Sequence, residues 1–82
     1  MKATATNDAL AETVLIANVV RAYASKKLVA DTTIIGWATD LGLRSLNGGA
    51  SVSDACREGR RVIDRWMRLQ QRAAQLVLHS RN

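Results

Sequence analysis

Eighty-two residues with a net charge of +5, 48% of them hydrophobic and 23% charged, make one folded domain and exclude a disordered chain. A domain this small buries only about 60–65% of the surface its unfolded chain exposes. With one cysteine and one histidine it can form neither an internal disulfide nor a zinc cluster, so self-association is the expected reinforcement.

The chain contains no proline and is rich in alanine, leucine and arginine, which favours uninterrupted helices. Apolar residues do not alternate with polar ones at period two, so strands are not expected. The expected fold is all-α: a three-helix arrangement of two shorter N-terminal helices and one long C-terminal amphipathic helix, assembled as a helical dimer. Residues 1–6 read as a short uncapped start. Asn7 then caps a first helix over about 8–26, with Asp8 and Glu12 near its positive end and Lys26 near its negative end. Leu10, Val14, Leu15, Ile16, Val19, Val20 and Tyr23 spread around most of that helix, wider than the stripe of an ordinary surface helix. Such a helix needs cover on several sides, and Leu15 and Val19 are assigned to a seam that the core or a second subunit covers.

Leu28 to Ala30 form a connector, and Asp31 or Thr32 caps a second helix over about 33–41 whose Ile34, Ile35, Ala38 and Leu41 face inward. Gly42 is expected to end it, with Leu43 folding back over the terminus. Residues 42–50 then form a loop around Asn47-Gly48-Gly49, the strongest helix breaker in the chain.

Ser51 and Asp54 give an S-x-x-D start for a third helix over about 52–78. Val52, Ala55, Gly59, Val62, Trp66, Leu69, Ala73 and Leu76 recur at alternating three- and four-residue spacing, and Cys56, Ile63 and Val77 widen the seam. At 1.5 Å per residue the helix is roughly 40 Å long, more than a domain of this size needs internally. Its seam, carried by Val62, Ile63, Trp66, Leu69 and Leu76, is expected to pack on a partner as well as on its own chain. Small residues around Gly59 suggest close approach of another helix.

Residues that could carry chemistry are few. The seven carboxylates are scattered, and Asp64 lies at ion-pair spacing from Arg60, Arg61 and Arg68. Gly48-Gly49 before Ser51 could offer amides to an anion, but reads more simply as a loop. Cys56 on the seam reads as an inert buried thiol and His79 as a residue compensating the helix dipole. No catalytic residue, metal ligand or cofactor is expected. The first residues mix Lys2 with Thr4, Thr6, Asn7 and Asp8, unlike a secretory signal, and the apolar run Val14 to Val20 is interrupted by Asn18 and falls far short of the ~20 residues of a membrane span. A reducing cytoplasm is the expected compartment, and no membrane partner is expected.

The basic excess is concentrated: residues 1–50 carry five bases and four acids, residues 51–82 seven arginines and three acids. On the third helix Arg57, Arg60, Arg61, Arg65, Arg68 and Arg72 occupy the side away from the seam. Arginine binds carboxylate and phosphate through planar paired contacts, so this face is the candidate binding surface, joined by Trp37 as an interface anchor. Asp54, Glu58 and Asp64 interrupt it, as on a merely solubilising face. The expected function is a non-catalytic helical modulator that binds a partner protein as a homodimer; the alternative is a DNA- or RNA-binding regulator using the same helix. A helix-turn-helix through Ala38 and Gly42 would serve that alternative only with a lengthened turn.

Overall fold

The computed structural model describes the backbone of residues 2–80 and the side chains of residues 8–80. Three helices, α1 (Lys2–Lys26), α2 (Thr32–Asn47) and α3 (Val52–Ser80), account for nearly all of them, with no strand among the described residues. The fold is all-α, as the absence of proline and of period-two patterning implies.

Helix α1 starts at Lys2, six residues before the expected start at Asp8. Nothing between Lys2 and Asn7 breaks a helix, and Ala3 and Ala5 favour one. The uncapped start expected over residues 1–6 is therefore helical in its backbone from Lys2, and the expected cap, Asn7, falls on a side chain outside those described. At the other end the Val29 amide bonds to the Ala24 carbonyl at 2.8 Å and the Leu28 amide to the Ser25 carbonyl at 3.0 Å. That pair is a Schellman closure, with Leu28 holding the left-handed position at φ 61° that glycine usually fills. Val29 and Ala24, which such a closure brings together, are both buried.

Asp31 caps α2, its Oδ1 accepting from the Thr33 and Ile34 amides at 2.9 and 3.3 Å. The helix does not stop at Gly42. It runs on to Asn47, and the loop expected over 42–50 shrinks to a turn between Asn47 and Val52. The apolar stripe explains the continuation, because Ala38 and Gly42 are buried and Ser45 and Leu46 half-buried at helical spacing beyond it. Leu43 packs on the core from within the helix and does not fold over its end. The stop comes at Gly48, whose amide bonds back to the Arg44 and Ser45 carbonyls, and at Gly49 with φ 103°. Ser51 then opens α3, its Oγ accepting from the Asp54 amide at 3.1 Å.

The two glycines buried between helices set the packing. A Cβ at Gly42 would stand 2.9 Å from the Ala55 carbonyl oxygen; one at Gly59 would stand 2.6 Å from Val20 Cγ2 and 3.2 Å from the Ala38 carbonyl oxygen. Four residues back along α2 match four residues forward along α3, so the two helices form a close antiparallel hairpin. The close approach inferred at Gly59 is therefore intramolecular, involving both α1 and α2. Val20 against Gly59, and Tyr23 bonded to Asp64, show that α1 and α3 run parallel. Ile16, Val20, Ala24, Val29, Ala38, Ala55, Cys56 and Ile63 form the buried core. The molecule measures 65 × 21 × 17 Å, so its helices extend well past one another.

Candidate interaction surface on the third helix

The long seam of α3 divides in two. From Val52 to Met67 it packs inside the chain: Ala55, Cys56, Gly59 and Ile63 are buried, and Val52, Val62, Trp66 and Met67 rest on the core. From Arg68 to Ser80 every residue is exposed, including Leu69 at 55% and Leu76 at 62%. Of the seven residues expected along the seam, Ile63 is buried, Val19, Val62 and Trp66 pack against the core, and Leu15, Leu69 and Leu76 face outward. The reason is length. α1 and α2 give out near the level of Met67; Leu69 still borders a cleft with Trp37 and Leu41 of α2, and the residues of α3 beyond it are all exposed.

The arginines divide in the same way. Arg57 Nη1 lies 3.4 Å from Asp54 Oδ1, and Arg61 Nη1 lies 2.9 Å from Glu58 Oε1. Both pairs are exposed and lie three residues apart, so each contributes little to stability, but each leaves its arginine partly neutralised. Arg60 is half-buried and so belongs less to the outer face than its position on the helix suggests. Its neighbour Asp64 is not held by an arginine: its Oδ1 accepts from the Tyr23 hydroxyl at 2.6 Å, across the α1–α3 interface. The helix-pair spacing that points to Arg60, Arg61 and Arg68 loses to a short charge-assisted bond from a neighbouring helix. That bond, with partial burial and the negative charge beside it, raises the Tyr23 pKa above its usual 10.0, while Arg60 pulls it down. Lys27 sits over the Tyr23 ring, 5.6 Å from its centre.

Beyond Asp64 the helix carries Arg65, Arg68 and Arg72 and no acid at all. None of the three makes an ion pair among the described residues. With Leu69, Gln71 and Gln75 they border a shallow depression of about 350 Å³ along the projecting helix. Trp37 on α2 is 57% exposed and lines a second, smaller cleft of about 120 Å³ with Leu41, Val62, Arg65, Trp66 and Leu69. Trp37 therefore stands beside the point where α3 leaves the body of the fold. Periodicity identified the arginine face; it could not separate its paired proximal half from its unpaired distal half, because that depends on where α1 and α2 end.

Cys56 is buried on the core side of α3, and His79 is exposed in the last turn. No cluster of three potential metal ligands occurs among the described residues. No helix among them is long and apolar enough to cross a membrane. α2 runs through Gly42 to Asn47 and α3 begins only at Val52, so a helix-turn-helix through Ala38 and Gly42 would need the lengthened turn. Here the first half of α3 is packed along α2. No protein-family model matches the chain, and no curated protein and no solved structure matches it either.

Proposed function

We propose that this chain is a non-catalytic helical modulator that works as a homodimer and binds a partner protein through the arginine face of α3. One observation carries the reading: α3 projects beyond its own fold with Arg65, Arg68 and Arg72 unopposed by any acid and with apolar side chains alongside them. Arginines beside exposed leucine and tryptophan are the composition of protein-binding surfaces, where acidic side chains of the partner complete the charge. A reducing cytoplasm suits the single free thiol.

The same three arginines would also suit a phosphate backbone, which is the alternative reading. Against it stands the pairing of Arg57 and Arg61 with local acids, which leaves fewer unopposed cations for a phosphate backbone. Affinity capture from the native host, with nuclease present, tests the choice. The expected result is a protein retained by the unaltered chain and lost by the Arg65→Glu, Arg68→Glu, Arg72→Glu variant. Binding to random duplex DNA with a log–log salt slope of about −2.7, for three phosphate contacts, and no nuclease-resistant protein would overturn it.

A further inference from the structure

Two concavities of the surface meet at Arg65 and Leu69. The cleft beside Trp37 and Leu41 and the depression along the projecting end of α3 both include these two residues. Together they follow α3 from Val62 to Gln75, about 20 Å of helix at 1.5 Å per residue. Side chains on a helix lean toward its N-terminus. Because α2 and α3 are antiparallel, Trp37 leans toward Leu69 and Leu69 leans back toward Trp37. Both nevertheless remain more than half exposed, at 57% and 55%. At about 120 Å³ the cleft between them is far below the ~300–1,000 Å³ of a small-molecule site. It has room for one large apolar side chain.

The charges beside this cleft have one sign and lie on one side. At 100° per residue, Arg65 and Arg72 fall on the flank of the Leu69 strip that faces away from α2, with Arg68 further round the same flank. The nearest acids are engaged elsewhere. Glu58, one turn before Val62, lies 2.9 Å from Arg61, and Asp64 accepts the Tyr23 hydroxyl. Asp40, one turn from Trp37, borders the groove between α1 and α2 together with Arg21. Carboxylates laid along the outer flank would therefore meet three arginines that have no ion pair of their own among the described residues.

The backbone of the occupant follows from that of the surface. Both walls are helices, and no strand edge occurs among the described residues to hold an extended peptide. An occupant must satisfy its own backbone, which a helix does. A second copy of this chain does not supply the pattern, since none of its three helices carries more acids than bases. A phosphate backbone would meet the arginines but leave the apolar cleft unfilled.

We infer that the partner protein docks through an acidic amphipathic helix of nearly four turns. One large apolar side chain of that helix seats between Trp37 and Leu69, and its carboxylates run along Arg65, Arg68 and Arg72. This rests on the protein-binding reading above and specifies the partner's chemistry.

The test titrates the full chain against fluorescein-labelled synthetic helices of about 18 residues, long enough to span the surface. Each has leucines at spacings of three and four along one face and glutamates on one flank. Two versions, with the glutamates on opposite flanks, cover both directions of the helix. At least one should bind, and replacing its leucines with serine or its glutamates with lysine should weaken it by about tenfold or more. Trp37→Ala and Leu69→Ser should each weaken binding about tenfold, with helix content unchanged by circular dichroism. Arg65→Glu, Arg68→Glu, Arg72→Glu should instead prefer the lysine version. An acidic peptide held by the arginines but indifferent to Trp37→Ala and Leu69→Ser would overturn the cleft and leave the arginine-face reading standing. Binding of neither acidic peptide would overturn the inference, and a protein still captured in the presence of nuclease would show that the broader reading survives it. Oligouridylate or duplex DNA bound more tightly than the peptides, and lost in Trp37→Ala, would overturn it in favour of nucleic acid. A dimer that Trp37→Ala dissociates in light scattering would overturn it by placing a second copy in the cleft.

Discussion

Leu28 and Tyr23 show how single side chains close this fold. A non-glycine residue in the left-handed region costs about 1–2 kcal/mol, and Leu28, being almost fully exposed, recovers none of it through packing in the single chain. Leu28→Gly should therefore raise stability to unfolding by about 0.5–1 kcal/mol, after allowing for the extra freedom glycine gives the unfolded chain. Leu28→Ala keeps the strain and should not. Urea unfolding of the two variants separates conformation from side-chain loss as the cause. Tyr23 makes the only side-chain bond between α1 and α3 among the described residues, and Tyr23→Phe should cost about 1 kcal/mol. The bond also has a pH signature. Because the folded state holds the Tyr23 proton more tightly than the unfolded state, its contribution is present below the ordinary value of 10.0 and is lost as pH rises above it. The unaltered chain should lose stability above pH 10 more steeply than Tyr23→Phe. Equal slopes would mean that the hydroxyl does not hold its proton for Asp64.

At the scale of the helix, glycine has opposite meanings at two positions of α2. A Cβ at Gly36 meets nothing within 4 Å, whereas one at Gly42 meets the Ala55 carbonyl oxygen at 2.9 Å and Ile16 Cγ2 at 3.1 Å. Gly36→Ala should stabilise the protein by about 1 kcal/mol, the helix-propensity difference alone. Gly42→Ala gains the same propensity but must push two backbones apart, and should destabilise by about 1–3 kcal/mol. Thermal unfolding decides, and a stabilising Gly42→Ala would show that α2 and α3 are not in contact there. This pair also explains what the residues disclosed and what they concealed. The three helices, the Ser51 start and a cap at Asp31 or Thr32, of which the structure uses Asp31, were legible, because each depends on neighbours within a few positions; Gly48-Gly49 was read as a breaker within a loop and not as the end of α2. The passage of α2 through Gly42 was not legible, since local propensity marks a glycine as a stop and only the facing helix explains why nothing larger fits. Asp64 was misread for the same reason: its sequence neighbours are arginines, but its partner is 41 residues away. The arginine face was legible as a face, and its division into paired and unpaired halves was set by tertiary length.

The whole molecule joins a small buried core to two long projections, and these should respond differently to substitution. Ile63 is fully buried where α3 faces the other helices, so Ile63→Ala removes core volume and should lower stability by about 2–4 kcal/mol at every protein concentration. Leu76 sits thirteen positions further along the same helix and touches none of that core. A charge there should leave the body folded and act only on what covers the projection. If a second copy covers it, the unfolding midpoint of the unaltered chain rises with protein concentration, because association favours the folded form by mass action. In Leu76→Asp that dependence should vanish, leaving a helical monomer that still unfolds cooperatively at the low-concentration midpoint. Thermal scans over a hundredfold range of concentration, followed by circular dichroism, distinguish the cases. Loss of helix in dilute Leu76→Asp would mean that the projection belongs to the core after all, and an unaltered chain whose midpoint ignores concentration would mean that nothing of its own kind covers it.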